Sequence, residues 1–191
     1  MYIMIEGGEG AGKTTIAKKL MEHYKSLGKD VLLVREIGSC ESAEDLRGII
    51  YNHKDLEPMS QFLIFLAARI ELYQKRILPH LKKGGVVISD RGIWSSLVYQ
   101  GFCMGLDIDK LFTLNIENVS IPDISIFIMV SPEIGLKREL IENPFGELEF
   151  HKKVYDGYEY LSSKYHGIEK IYSDEITIDT LFSEVKHVLG C

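Results

Sequence analysis

The chain has 191 residues, 46% of them apolar and 26% charged, enough to bury a core without metals or disulfides and too apolar for disorder. Its formal net charge of −6 argues against a nucleic-acid surface, which is ordinarily basic. Anionic substrates must therefore be met by a local cluster of Arg and Lys.

Tyr2-Ile3-Met4-Ile5 is an apolar run long enough for a buried strand. It leads into Gly7-Gly8-Glu9-Gly10-Ala11-Gly12-Lys13-Thr14, which fills every specified position of the G-x-x-x-x-G-K-[ST] phosphate-binding loop, and then into helical periodicity over Thr15-Ile16-Ala17-Lys18-Lys19-Leu20. Strand, loop and helix in that order is the setting the motif requires. Its glycines let the backbone turn tightly and bring N–H groups against phosphate oxygens, and the helix beginning near Lys13 adds the positive end of its dipole. Lys13 would reach the outer phosphates, and the Thr14 hydroxyl would coordinate Mg²⁺. The bland alternative is a glycine-rich turn without a ligand. At an average glycine content of roughly 7%, a chance match is expected in about one such chain in a hundred or fewer. The motif predicts a nucleoside triphosphate ligand held by residues 7–15.

Gly28 is a plausible helix C-cap before a second strand, Asp30 to Arg35. Glu41 to Tyr51 is helical. Pro58 opens a long helix running to about Lys83, which Pro79 should bend, and Gly84-Gly85 stops it. Val86 to Asp90 is a third strand, helices follow near 94–102 and 107–117, and Ile124 to Val130 is a fourth strand. Further helices are predicted at about 132–142, 147–165 and 177–189. The fifth strand is placed at Ile168–Tyr172, with Glu175–Asp179 an alternative that periodicity does not separate. Apolar strands alternating with helices predict one α/β domain over residues 1–191, a three-layer sandwich around a five-stranded parallel sheet. The cysteines, Cys40, Cys103 and Cys191, are odd in number and lack metal-ligand spacing. No apolar run nears the ~20 residues of a membrane span, and the first strand leaves no room for a signal peptide. A cytoplasmic protein with reduced thiols is expected.

Ligands of open parallel sheets sit at the carboxyl ends of the strands. Strand three ends in Asp90-Arg91, where a carboxylate following apolar residues holds Mg²⁺ directly or through water. A simple strand-end cap is the alternative for Asp90, and the complete phosphate loop shifts the balance towards function. Arg91 supplies a cation where a second phosphate would lie. Strand two ends in Arg35, either a further phosphate contact or a solvated charge.

Several separated segments carry a family resemblance: Ile5 to Thr15; Phe65-Leu66-Ala67-Ala68-Arg69; Asp90-Arg91 with Ser95-Ser96 and Tyr99-Gln100-Gly101; Pro122-Asp123; Gly135-Leu136-Lys137-Arg138; and Phe150-His151-Lys152-Lys153-Val154. In this order they resemble thymidylate kinases. The resemblance implies a P-loop NTPase fold and ATP and a deoxypyrimidine monophosphate as substrates. It also implies Mg²⁺ as cofactor and transfer of the γ-phosphoryl group to dTMP. Phe65 would stack on thymine, and Arg69, one turn on along the same helix face, would donate to a base carbonyl. Ser96 would make a polar contact to the base, Gln100 would belong to the acceptor site, Tyr99 would crowd the sugar 2′ position, and Glu9 would meet the 3′-hydroxyl. Arg91 and Arg35 would hold the monophosphate, and Arg138 the adenine side of ATP. Lys13, Arg91, Glu9 and Arg138 form the implied catalytic set. A kinase for another monophosphate is the nearest alternative. A non-catalytic nucleotide switch is more remote, since the Asn-Lys-x-Asp guanine signature is missing.

The departures from the family pattern are specific. Ile37-Gly38-Ser39-Cys40 stands where Pro-Gly-Gly-Thr is usual, and Gly92 where an aromatic or His is common. The lid, at about 139–150, lacks its usual arginine: the sequence holds no Arg from 139 to 191. Lys13, Mg²⁺, Arg91 and Arg138, or else Lys152 or Lys153, would have to neutralise the transition-state charge. Phe62-Leu63-Ile64-Phe65-Leu66 covers about 400° of helix surface, more than one buried stripe needs. A second burial partner for it is expected: other helices of the same chain are one option, and the resemblance implies the other, a two-fold homodimer through this helix.

Overall fold

The computed structural model describes residues 1–138 and 148–191. Five strands, β1 (Tyr2–Gly7), β2 (Val31–Arg35), β3 (Val86–Asp90), β4 (Ile124–Met129) and β5 (Ile168–Tyr172), form one all-parallel sheet in the order β2-β3-β1-β4-β5. The fold class expected from the sequence is therefore observed. β1 sits at the centre and is buried along its whole length, which is why it is a continuous apolar run. Ile5 is level with Asp90, and Asp90 with Arg35, so the functional ends of β1, β2 and β3 emerge along one edge.

Side chains alternate across the sheet and build two cores. Tyr2 and Met4 point to one face, with Val87 and Phe127, and meet Phe62, Leu66, Trp94 and Tyr158. Ile3 and Ile5 point to the other, with Ile88 and Ile126, and meet Ile16, Leu20, Leu181 and Val185. The first face is covered by α3 (Pro58–Leu72), α5 (Ile93–Ser96), α6 (Ile108–Ile116) and α8 (Leu148–Lys164), and the second by α1 (Lys13–Ser26) and α9 (Ile178–Leu189). The remaining helices are α2 (Glu41–Asn52), α4 (Leu78–Lys82) and α7 (Pro132–Arg138).

Three expectations are refined. The helix predicted over 58–83 is α3, a π-helical turn at Tyr73–Ile77, and α4. The Leu78 N–H reaches back five residues to the Tyr73 carbonyl, and this wider turn precedes Pro79, which has no N–H to give an α-register bond. The helix near 94–102 is likewise α5 followed by a π-helical turn, Leu97–Cys103, that carries Tyr99 and Gln100. The fifth strand is Ile168–Tyr172 rather than 175–179. Thr177 instead caps α9, its side chain accepting from the Thr180 N–H at 3.2 Å. The predicted continuation of α7 beyond 138 and most of the predicted lid lie outside the described residues; 148–150 form the first turn of α8.

Candidate active site

The phosphate loop joins β1 to α1, with Gly10 and Gly12 both at positive φ. Its outer wall is α7: a Cβ on Gly10 would collide with the Gly135 carbonyl, and one on Gly135 with the carbonyl of Glu9. The two backbones can touch only because both residues are glycine. The sequence holds a faint signal of this, because a glycine inside a helix costs about 1 kcal/mol relative to alanine and so calls for a packing reason.

Lys13 is buried and folds back over the loop, its Nζ donating to the Gly8 carbonyl at 2.5 Å. Burial, reinforced by the nearby Arg91 charge, pushes its ammonium down to about 8. The Thr14 hydroxyl donates to Asp90 Oδ2 at 2.6 Å. These are two hard oxygens, one from the loop and one from the end of β3, as Mg²⁺ prefers. The described residues hold no cluster of three His, Cys, Asp or Glu suited to a metal. Mg²⁺ takes few protein ligands and completes its shell with phosphate and water.

Arg91 adopts a left-handed backbone, φ 72°, at a cost of about 1–3 kcal/mol for a non-glycine residue. Its guanidinium points back across the loop, with Nη2 to Glu9 Oε1 at 2.6 Å and Nη1 to the Gly7 carbonyl and to Ser95 Oγ, both at 3.3 Å. It also lies 5.7 Å from the centre of the Tyr99 ring. Burial works to raise the Glu9 carboxyl, but Arg91, Lys13, His151 and Arg35 together hold it below the ordinary carboxylate range. Arg35 is exposed and feels Glu9 only through space. The structure thus brings Glu9, Lys13, Thr14, Asp90, Arg91 and Tyr99 together.

Arg69 is buried in a dense network. Nε donates to Glu36 Oε2 at 2.6 Å, Nη1 to Asn115 Oδ1 at 2.6 Å, and Nη2 to Ser96 Oγ and the Gly92 carbonyl, both at 3.0 Å. Four of its five N–H groups are therefore committed within the protein. Phe65, one turn earlier, is half-buried. Gln100 is buried and donates to Gln61 Oε1 at 2.7 Å. Gly92 has a reason in packing, since a Cβ there would strike the side chain of Met4.

Arg138 stands apart from the other implied catalytic residues. Its Nη2 donates to the carbonyls of Ser173 and Asp174, both at 2.9 Å, in the loop after β5. Lys152 pairs with Glu149 at 3.0 Å and Glu133 at 3.8 Å.

The residues that sequence reasoning missed are the supports. Glu6 is fully buried and accepts from the Ser95 N–H at 3.0 Å, the Ser95 hydroxyl at 2.6 Å and the Tyr158 hydroxyl at 3.0 Å. It ties β1 to α5 and α8, and through Ser95 it steadies Arg91. Glu36 and Asn115 do the same for Arg69. His151, on α8, lines one small cavity with Gly8 and Glu9, and burial holds its imidazole below the ordinary value.

Comparison with known proteins gives a consistent result. The thymidylate kinase family model matches residues 5–177. A thymidylate kinase of Clostridium novyi (strain NT) is 35% identical over 98% of this chain and 97% of its own length. One from Caldanaerobacter subterraneus subsp. tengcongensis is 40% identical over 82% of this chain and 79% of its own. The crystal structure of thymidylate kinase from Ehrlichia chaffeensis superposes with a TM-score of 0.84 at 31% identity, covering 100% of this chain and 98% of that one. With the family model spanning most of the sequence and the fold matching end to end, this chain belongs to the thymidylate kinase family.

Proposed function

We propose that the protein transfers the γ-phosphoryl group of ATP to dTMP, giving ADP and dTDP, with Mg²⁺ as cofactor, in the cytoplasm. The observation that carries this is the 2.6 Å contact of Arg91, at the end of β3, with Glu9 inside the phosphate loop, two residues this reading assigns to the acceptor. A dTMP phosphate oxygen attacks the γ-phosphorus as the bond to the β–γ bridging oxygen breaks. That nucleophile is already anionic, so positioning and charge stabilisation supply the catalysis without a strong base. Lys13 leaves the Gly8 carbonyl for the outer phosphates. Arg91, already charged and aimed at the loop, orients the monophosphate. Glu9, held ionised, accepts from the sugar 3′-hydroxyl, while the Tyr99 ring closes off C2′. Thr14 and Asp90 would hold Mg²⁺, which supplies positive charge to the donor phosphates when bound. Arg138 is assigned to the adenine side, where it fixes the loop after β5, and not to the transferring phosphoryl.

Measuring ADP formation across monophosphate acceptors tests this. dTMP should be the best substrate by a wide margin, and Tyr99→Ala should raise the relative turnover of its ribose counterpart. A different preferred base would overturn the dTMP assignment; an unchanged deoxy-to-ribo ratio would make Tyr99 a packing residue.

The protein also pairs as a two-fold dimer through α3. Phe62 and Leu66 enter the core of their own chain, whereas Leu63 is 49% exposed and Ile64 only half-buried; an isologous contact would cover this second face. Light scattering should give twice the 21.7 kDa chain mass, and a fully active monomer at micromolar concentration would exclude the pairing.

A further inference from the structure

Gln61 opens a row on α3 whose next members are Phe65 and Arg69. Steps of four residues set all three along one helix face. Its Oε1 accepts from Gln100 Nε2 at 2.7 Å, and Gln100 lies on the π-helical turn beside Tyr99. We infer that Gln61 is a positioning residue for base selection: it holds one end of the Gln100 amide, so that the other end is left for the pyrimidine edge. The inference rests on the proposed acceptor site and assigns the atoms that choose among pyrimidines.

A primary amide has one acceptor end and one donor end. With Nε2 bonded to Gln61, Gln100 has its carbonyl oxygen left for a ligand. Arg69, which has no acceptor and one N–H left, can serve only an acceptor such as a carbonyl oxygen. A donor beside an acceptor matches thymine or uracil, whose O4 accepts and whose N3–H donates. Cytosine reverses both groups, setting a 4-amino group against Arg69 and an N3 lone pair against the Gln100 oxygen, so each polar group of the site loses its partner.

Gln61 is itself an amide, however, and this leaves the arrangement reversible. If both amides turn over, Gln61 donates to Gln100 Oε1 and the Gln100 amino end faces the base, where it suits the cytosine N3. An acceptor-only carboxylate at 61 forbids the reversal, and an apolar side chain there removes the constraint altogether.

The test is steady-state kinetics with dTMP and dCMP as acceptors for the full-length protein and the variants Gln61→Glu and Gln61→Leu. The ratio of kcat/KM for dTMP to that for dCMP should rise about tenfold in Gln61→Glu, the effect of one ordinary hydrogen bond, and stay near the wild-type value in Gln61→Leu, where Gln100 is again free to turn either end to the base. The change should lie mainly in KM. A general loss of packing would lower activity with both acceptors and move the ratio in neither direction. Equal ratios in all three proteins, or an equal rise in Gln61→Leu, would overturn the inference while leaving the kinase reading intact. A wild-type protein that phosphorylates no monophosphate would overturn both.

Discussion

Replacing Lys13 by alanine is expected to lower turnover by at least about a hundredfold, the loss found when one preorganised donor to developing charge is removed. The fold should survive. The Lys13 ammonium is pushed down to about 8 by burial and by Arg91, below its unfolded value, so carrying its charge at neutral pH costs the native state stability and deletion relieves that cost. The same depression sets a pH dependence with a definite sign. In the ligand-free protein Lys13 is charged below about pH 8 and neutral above it. ATP affinity should therefore fall as pH rises through 8, and this part of the profile should vanish in Lys13→Ala. Stopped-flow or calorimetric titration of ATP from pH 6.5 to 9.5 reads both effects. A folded Lys13→Ala variant with near-normal turnover would refute the loop assignment.

Arg69→Ala should act on stability as strongly as on recognition. The Arg69–Glu36 pair is 2.6 Å apart with both side chains under 5% exposed, and Glu36 Oε1 is buried with no hydrogen-bond partner among the described residues. Burial already raises the Glu36 carboxyl despite Arg69. Removing the arginine strands that group, and breaking a buried pair in this way costs about 3–5 kcal/mol. Denaturant unfolding would show it as a lower midpoint with an unchanged slope. Arg69→Leu combined with Glu36→Leu should recover much of the stability but not the acceptor specificity. If Arg69→Ala unfolds like the wild type, the network contributes little to the fold.

What was legible in the sequence follows from how local each signal is. The phosphate loop is contiguous, and Asp90 and Arg91 mark the end of an apolar strand, so their chemistry shows in a short window. Phe65 and Arg69 are one helical turn apart and could be set on one face without coordinates. Glu6 could not be assigned: its partners Ser95 and Tyr158 lie 89 and 152 positions away, and a lone carboxylate before a glycine signals nothing by itself. Arg69 illustrates the opposite limit. Its place at the base was implied by resemblance, whereas its partners Glu36 and Asn115 come from β2's end and from α6, elements that only the tertiary fold brings together. The π-helical turns escaped because periodicity sees apolar spacing and not which carbonyl an amide chooses.

Glu6 also bears on how the sheet assembles. All its hydrogen bonds lie on the face of α5 and α8, while its neighbour Ile5 faces the opposite core. Were β1 to pair one residue out of step, every side chain would change faces. The carboxylate would then sit among Ile16 and Leu20, with the several-kcal/mol penalty of an unsatisfied buried polar group. Apolar residues such as Ile3, Met4 and Ile5 would tolerate either placement. One acidic side chain in the central strand thus acts as an alignment key, penalising wrong pairings before the phosphate loop has any ligand to organise it.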